Sequence, residues 1–260
     1  MLKNCFALPK LQYLLRACPA FSCQDALQDF DATVRSALTA IINVTFSEAS
    51  YSQAVLPVSL GGLGVRRAQD LAKPAFIASL YSTRFLVDAV LSRVNGLAET
   101  GDLAVAREAW RLSSVGVVEP EEFKRIQQKA WDSEASGLAL ENLLQDADQV
   151  SRARLLAASQ KESGLWLHAI PVPSLGTQLD PETLRIAVAL RIGAKVCEPH
   201  KCRCGGQMDA LGLHGLSCRY SAGRHPRHAA LNDAVQRALQ KVGLPSLLEP
   251  VGFDRRWKAP

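Results

Sequence analysis

Apolar side chains over most of residues 10–195 recur every three or four positions, which is the period of an amphipathic helix. The first long helix is predicted to follow Ser22, a possible N-cap with Asp25 three residues later, and its apolar face holds Leu27, Phe30, Val34, Leu38 and Ile41. Residues 67–94 form a second predicted helix that can kink or restart at Pro74. Further predicted helices cover 102–112, 120–131, 137–146 and 151–168. The pattern therefore predicts a mainly α fold.

Two segments that contain proline and glycine interrupt this pattern. Residues 51–66 hold one proline and three glycines between positions 57 and 64, which predicts a loop or a short hairpin. Residues 169–179 predict a connector, after which Asp180 can cap a helix that Gly193 ends. A last helix is predicted from Pro226 to about Val242, stopped by Gly243, with an apolar stripe of Leu231, Val235, Leu239 and Val242.

These changes of pattern divide the chain into four predicted segments. Residues 1–168 form a helical region, and residues 169–196 form a connector with one helix. A compact cysteine-rich segment follows at 197–225, and residues 226–260 begin a further domain. We therefore expect a domain boundary between 169 and 196, where prolines and glycines concentrate.

The net charge of +5 is unevenly distributed along the chain. Residues 195–260 contain 11 Lys and Arg against 5 Asp and Glu, whereas residues 1–194 contain 19 against 20. A basic end on a nearly neutral body favours a polyanionic partner, although a solvated basic face gives the same composition. The content of apolar residues, 48%, is ordinary for a globular protein, and the lack of any run of 18 apolar residues predicts no membrane span.

The seven cysteines are distributed in a way that does not fit a secreted disulfide framework. Four of them lie within residues 197–218, and none lies between 24 and 196. An odd number of cysteines with one tight cluster is typical of a reducing compartment. We therefore expect the protein in the nucleus or cytoplasm and not among secreted proteins.

The cysteine cluster has the spacing of a zinc site. Cys202-x-Cys204 is followed, after nine residues, by His214-x3-Cys218, and glycines stand at the intervening turns. Three thiolates and one imidazole are ligands that zinc binds with tetrahedral geometry. Because Cys-x-Cys is tighter than the usual Cys-x2-Cys, another residue could replace Cys202, and the two candidates are Cys197 and His200.

Basic residues follow the last predicted zinc ligand. A helix that starts near Pro226 would place Arg224 and Arg227 at its N-terminus, where the helix dipole and the guanidinium groups both favour a phosphate. Tyr220 can stack on an unpaired base. The candidate nucleic-acid-binding residues are therefore Arg219, Tyr220, Arg224, Arg227 and His228, and the alternative is a set of solvated side chains.

Two separated sets of residues carry a resemblance to a known family. One set comprises Cys202–Gly205, Asp209–Cys218, Ser221–Arg224, Arg227-His228 and Leu231–Asp233, and the other comprises Pro9–Arg16, Phe30-Asp31 and Gln53–Val65. Together they resemble the C-terminal region of non-LTR retrotransposon polyproteins, in the group with a CCHC zinc knuckle and a restriction-like endonuclease, with a weaker match at 95–165. The resemblance implies a reverse-transcriptase thumb and linker at 1–168, a zinc knuckle at 197–225 and the start of an endonuclease-like domain at 226–260.

The chain departs from that family in its catalytic residues. A reverse-transcriptase palm holds two divalent ions with an adjacent aspartate pair, and this sequence contains no Asp-Asp. The family's endonuclease places its acidic residues beyond a motif that Leu248–Phe253 approaches, and the chain ends at Pro260 before its aspartate. We therefore expect a fragment of a longer open reading frame that binds RNA or DNA, weakly on its own, without catalysis and without a small-molecule substrate.

A zinc-stapled helical module that binds another protein, and no nucleic acid, is the alternative. A stand-alone enzyme is disfavoured, because the sequence contains no phosphate loop, no dinucleotide-binding glycine fingerprint, no Gly-x-Ser-x-Gly and no His-Glu-x-x-His. Salt-sensitive binding of RNA or DNA would separate the two remaining hypotheses.

Overall fold

The computed structural model describes residues 7–91, 101–175, 177–221 and 224–248, with the backbone alone at 91, at 175 and at 224–228. The predicted mainly α fold is confirmed, because the described strands form one short antiparallel pair. The α-helices are α1 Gln12–Ala17, α2 Gln24–Ile42, α3 Glu48–Ala54, α4 Ala68–Leu91, α5 Gly101–Ser113, α6 Gln128–Asp146, α7 Gln149–Ala158, α8 Pro181–Ile192, α9 Leu213–Ser217 and α10 Arg224–Lys241, and the strands are β1 His200–Lys201 and β2 Gln207–Met208. Short 3-10 helices cover Leu8–Lys10, Ala20–Ser22, Val58–Leu60, Glu122–Lys124, Leu165–His168 and Pro173–Leu175.

The chain divides into two compact units, Met1–Val196 and Cys197–Pro260. Helix α8 lies in the segment expected to connect domains, and its buried face is part of the core of the first unit. None of the described helices is long and apolar enough to span a membrane.

Helix α4 is the centre of the first unit and packs against α1, α2, α5 and α6. Its side chains Phe76 and Ile77 are almost fully buried, together with Trp110 of α5 and Trp131 of α6. The rings of Trp110 and Trp131 meet edge to face with centroids 5.0 Å apart, and the indole N–H of Trp110 donates to the carbonyl of Trp131. These contacts hold α4, α5 and α6 together through burial of apolar area. Pro74 lies within α4, which continues past it as one helix.

A second apolar cluster joins α2, the segment after α3, and α8. It contains Val34, Leu38, Val55, Val188 and Ile192, all less than 8% exposed. The predicted ends of α8 are confirmed: Asp180 accepts hydrogen bonds from the backbone N–H groups of Glu182 and Thr183, and Gly193 ends the helix in the left-handed conformation.

The segment predicted as a loop or hairpin at 51–66 is a buried loop. Its first residues belong to α3, and no described strand lies within it. Gly61 has a φ of +86°, and a Cβ at Gly62 would lie 2.0 Å from the carbonyl oxygen of Leu56, so both positions require glycine. The guanidinium of Arg191 donates to the carbonyls of Gly62 and Val58, and the amide of Gln53 donates to the carbonyl of Gly61. Gln53 from within the segment and Arg191 from more than 120 residues later therefore satisfy carbonyl groups of this loop.

Several predicted helix boundaries are wrong. Ser22 belongs to a 3-10 helix, so Cys23 precedes α2, and Ile41 of the predicted apolar face is 64% exposed. The helix predicted at 120–131 begins only at Gln128, after a 3-10 helix at Glu122–Lys124. It joins the helix predicted at 137–146 as a single helix, α6, which continues through Gly137 because Trp131 anchors it in the core. Helix α7 ends at Ala158 and not at 168. Residues 92–94 of the predicted second helix lie outside the described ranges.

In the second unit, α10 covers nearly the span predicted for it, and Gly243 beyond its end has a φ of +75°. The apolar stripe predicted along this helix is not buried. Leu231 is 64% exposed, Val235 51% and Val242 70%. A periodic apolar pattern predicts a helix, but it does not identify the surface that covers it.

Candidate metal centre and the basic residues beside it

A short hairpin positions the first two cysteines of the cluster. Strands β1 and β2 pair antiparallel, with His200 opposite Met208 and Lys201 opposite Gln207. In the turn between them, the backbone N–H of Cys202 donates to the carbonyl of Gly206 over 2.8 Å. Gly205 has a φ of +87°, a conformation that glycine adopts without strain. The hairpin therefore holds Cys202 and Cys204 on one tight turn.

Helix α9 positions the other two residues. Gly212 precedes it in the left-handed conformation, and the carboxylate of Asp209 accepts a hydrogen bond from the backbone N–H of Leu213. The backbone N–H of Cys218 donates to the carbonyl of His214 over 2.9 Å, so one helical turn brings these two side chains to the same side.

The four ligand atoms predicted from the sequence lie together. All are within 4.8 Å of one another, with 3.7 Å between the sulfur atoms of Cys202 and Cys218 and 3.1 Å between the Cys204 sulfur and Nε2 of His214. Tetrahedral zinc, with ligands at about 2.0–2.3 Å, requires ligand atoms about 3.3–3.8 Å apart. The cluster can therefore close around one zinc ion with small shifts of its side chains.

Backbone N–H groups point at two of the sulfur atoms. The N–H of Gly206 donates to the sulfur of Cys204 over 3.3 Å, and the N–H of Tyr220 donates to that of Cys218 over 3.4 Å. Such bonds stabilise thiolates and orient them toward a metal. Gly206 also provides room, since a Cβ there would lie 3.0 Å from Cε1 of His214.

The thiols of the cluster differ in acidity. The backbone N–H of Cys204, followed by His214 and Cys218, lowers the pKa of the Cys202 thiol to about 6. The N–H of Tyr220 acts in the same direction on Cys218, but burial and the neighbouring thiols of Cys202 and Cys204 outweigh it and raise the pKa of that thiol. At neutral pH the cluster thus presents a thiolate that can start metal binding.

The two alternative ligands lie outside the cluster. The thiol of Cys197 donates to the carbonyl of Asp209, and Nδ1 of His200 is 2.8 Å from the carbonyl oxygen of Glu198. Neither contributes an atom to the group of four. Cys202 is therefore the residue that completes the set.

The structure describes the side chains of only some of the residues predicted to bind nucleic acid. Arg219 and Tyr220 are exposed, and the guanidinium carbon of Arg219 lies 4.8 Å from the centroid of the Tyr220 ring. The backbone of Arg224, Arg227 and His228 lies in the first turns of α10, and their side chains lie outside the described part.

Two further exposed cations were missed by the sequence analysis. Lys201 and Arg203 lie on the hairpin, one on each side of Cys202. The available signal was their position directly beside a predicted ligand, Cys202.

No protein-family model, curated protein or solved structure matches this chain.

Proposed function

We propose that the second unit is a zinc-binding module that contacts nucleic acid, in a chain derived from a retrotransposon reverse transcriptase. The observation that carries this proposal is the position of Arg219 and Tyr220 directly after a ligand of the Cys3His cluster. The residues 1–168 would then correspond to the thumb and linker of such a polyprotein.

The donor set favours zinc over other divalent ions. Three sulfur atoms and one imidazole nitrogen suit a soft or borderline ion in tetrahedral geometry, whereas Mg²⁺ and Ca²⁺ require oxygen ligands. Three thiolates and a neutral imidazole around Zn²⁺ carry a net charge of about −1. The exposed cations Lys201, Arg203 and Arg219 stand next to the ligands in the chain and offset that charge.

Metal binding would determine the conformation of the contact residues. The sulfur of Cys218 accepts the N–H of Tyr220, and the carbonyl of Cys218 accepts the N–H of Ser221. A zinc ion that holds Cys218 therefore also holds the turn that carries Arg219 and Tyr220. Without the ion, this turn loses its anchor.

The chemistry of the exposed pair suits a single-stranded nucleic acid. A guanidinium can pair with a phosphate, and an exposed aromatic ring can stack on an unpaired base. In the proposal, Arg224, Arg227 and His228 add phosphate contacts at the start of α10. The role is binding and not catalysis, and the site of action is the nucleus or cytoplasm.

A second candidate function rests on α10. The exposed apolar side chains Leu231, Val235 and Val242 are a surface that a protein partner could cover, which suits a zinc-stapled interaction module. Such a contact would change little with salt, whereas phosphate contacts weaken as salt rises.

Fluorescence anisotropy of labelled oligonucleotides tests the proposal on the full chain. Single-stranded RNA or DNA should bind the zinc-loaded protein in the micromolar range at moderate salt, and a zinc chelator should abolish the binding. Zinc added in excess after the chelator should restore it, which controls for irreversible unfolding. Binding that is equally strong without zinc, or no binding at any salt concentration, would contradict the proposal.

A further inference from the structure

A cavity of about 380 Å³ opens between α3, α4, α5 and α6 of the first unit. Its volume lies in the range of about 300–1,000 Å³ that is usual for sites that hold small molecules. Part of its wall is apolar and consists of Val55, Leu56, Pro74, Trp110, Ala139 and Leu143. An inorganic ion would leave most of this space and this apolar surface uncovered, so the cavity suits an organic molecule.

The wall contains two ion pairs. The guanidinium of Arg66 pairs with the carboxylate of Asp132, and that of Arg67 pairs with Asp70 over 2.9 Å. Arg66 also donates to the hydroxyl of Ser136. These four charges compensate one another and leave no net charge to attract a ligand.

The remaining charges of the cavity are Lys73 and Asp146, and their surroundings differ. Lys73 is partly buried, and within the described ranges its ammonium forms no hydrogen bond or ion pair. Burial lowers the pKa of Lys73, and this effect is larger than the opposite effect of the negative charge of Asp70, which raises the pKa. Asp146 is exposed, so water solvates its carboxylate. A partly buried ion loses more hydration than an exposed one. Lys73 is therefore the charged group of the cavity that neither water nor an ion-pair partner fully stabilises.

We propose that this cavity binds a small organic anion with an apolar body, whose anionic group pairs with Lys73 while the body lies against Trp110, Pro74 and Leu143. The inference is independent of the zinc module, since every residue it uses lies in the first unit. From the sequence we expected no small-molecule substrate. The proposed anion is a ligand of the cavity, and we propose no reaction for it.

Three isosteric probes test the charge preference on the unaltered protein: benzoate, benzamide and benzamidine, which carry charges of −1, 0 and +1. Binding is followed by tryptophan fluorescence, because Trp110 lines the cavity. Benzoate should change the fluorescence saturably and bind at least about tenfold more tightly than benzamide, since a charged hydrogen bond contributes about 1.5–3 kcal/mol. Benzamidine should not bind measurably. Equal affinity for benzoate and benzamide, or binding of none of the three, would overturn the proposal.

Substitutions then locate the site. Lys73→Met should weaken benzoate binding about tenfold to hundredfold and leave benzamide unaffected, whereas Lys129→Met, an exposed lysine of α6 outside the cavity, should change neither. Ala139→Phe fills the cavity and should remove binding while Lys73 is retained. Trp110→Phe should remove the fluorescence change, with benzoate binding still detectable by calorimetry. Unchanged benzoate affinity in Lys73→Met would refute the role of the lysine.

Discussion

The carboxylate of Asp31 on α2 accepts hydrogen bonds from the backbone N–H of Ala68 over 2.7 Å and of Gln69 over 3.2 Å, at the first turn of α4. The side-chain amide of Gln69 donates to the same carboxylate. Asp31 is only 5% exposed, so a side chain 37 residues earlier in the chain caps the central helix of the first unit. This cap links the position of α2 to the start of α4.

We expect Asp31→Asn to lower the free energy of unfolding by about 1–2 kcal/mol at pH 7. The amide NH2 that replaces one carboxylate oxygen cannot accept hydrogen bonds from the N–H groups that face it. Burial, partly offset by the N–H groups of Ala68 and Gln69, raises the pKa of Asp31 above its ordinary 3.8. A raised pKa means that the folded state holds the proton more tightly. The difference in free energy of unfolding between the wild type and Asp31→Asn should therefore be largest below pH 3.8. It should decrease as pH rises through the folded-state pKa and stay constant above it.

Urea unfolding between pH 3 and pH 7 measures this difference. Asp29→Asn is the matched control, because Asp29 is exposed on the same helix, and its effect should stay within about 0.5 kcal/mol. An advantage of the wild type that grows with pH would show that the pKa of Asp31 is lowered and would refute the argument.

A second pH dependence, of opposite sign, is expected at Glu119. Its carboxylate contacts Arg107 at 2.9 Å and Arg111 at 2.7 Å, and Arg125 lies 3.7 Å away. Burial alone would raise the pKa of Glu119, but the hydrogen bonds and charges of Arg107 and Arg111 lower it below its ordinary 4.5. The stabilisation is thus complete above pH 4.5 and is lost as pH falls through the folded-state pKa.

Glu119→Gln should accordingly lower the free energy of unfolding by about 1–2 kcal/mol at pH 7 and much less at pH 3. Chemical denaturation at the two pH values gives both differences. Glu121→Gln serves as the control, since Glu121 pairs with Lys124 at the surface and the change should cost less than about 0.5 kcal/mol. The same loss at pH 3 and pH 7 would show that the charge of Glu119 is not responsible.

The metal content of two cysteine variants distinguishes the proposed ligands from their neighbour. The wild type should bind about one zinc ion per chain, and Cys218→Ser should lose most of its affinity, because a hydroxyl is a poor substitute for a thiolate. Cys197→Ser should keep the ion, since the Cys197 thiol bonds to a carbonyl outside the cluster. Elemental analysis after dialysis measures both, and full zinc content in Cys218→Ser would remove that residue from the site.

Replacement of Arg219, Arg224 and Arg227 together with alanine should flatten the plot of log K against log salt concentration. The expected change in slope is about 2–3, because each arginine that no longer neutralises a phosphate reduces the slope by about 0.7–0.9. Lys10, Lys129 and Lys161 are exposed cations of the first unit, and their triple alanine variant is a charge-matched control that should keep the slope. An unchanged slope in the arginine variant would favour the protein-interaction candidate.

Assays of primer extension and of nucleic-acid cleavage with Mg²⁺ or Mn²⁺ should show no activity of this chain. Catalysis with two metal ions requires clustered carboxylates, and the sequence contains no adjacent aspartates. Within the described ranges, the group of three or more possible metal ligands is the Cys3His cluster, which offers no oxygen. Metal-dependent activity that disappears on a point mutation within this chain would contradict the proposal.

Features that depend on neighbouring residues could be predicted from the sequence. The caps of α8 at Asp180 and Gly193 follow from local hydrogen bonding and backbone freedom, and the structure confirms them. The grouping of Cys202, Cys204, His214 and Cys218 could also be predicted, because the hairpin and α9 that carry them are built from fewer than twenty consecutive residues. Local interactions of this kind act at short separation whatever the rest of the chain does.

Features that depend on contacts between distant residues could not be predicted from the sequence. The loop after α3 is buried because Arg191, more than 120 residues later, donates to its carbonyls, and Asp31 caps α4 from another helix. Helix α6 continues through Gly137 because Trp131 packs against Trp110, although a glycine inside a helix costs about 1 kcal/mol relative to alanine. The cavity around Lys73 could not be predicted from the sequence either, since residues of four helices form its wall. The burial of a side chain and its partners are set by packing across the whole fold, and no pattern along a single helix encodes them.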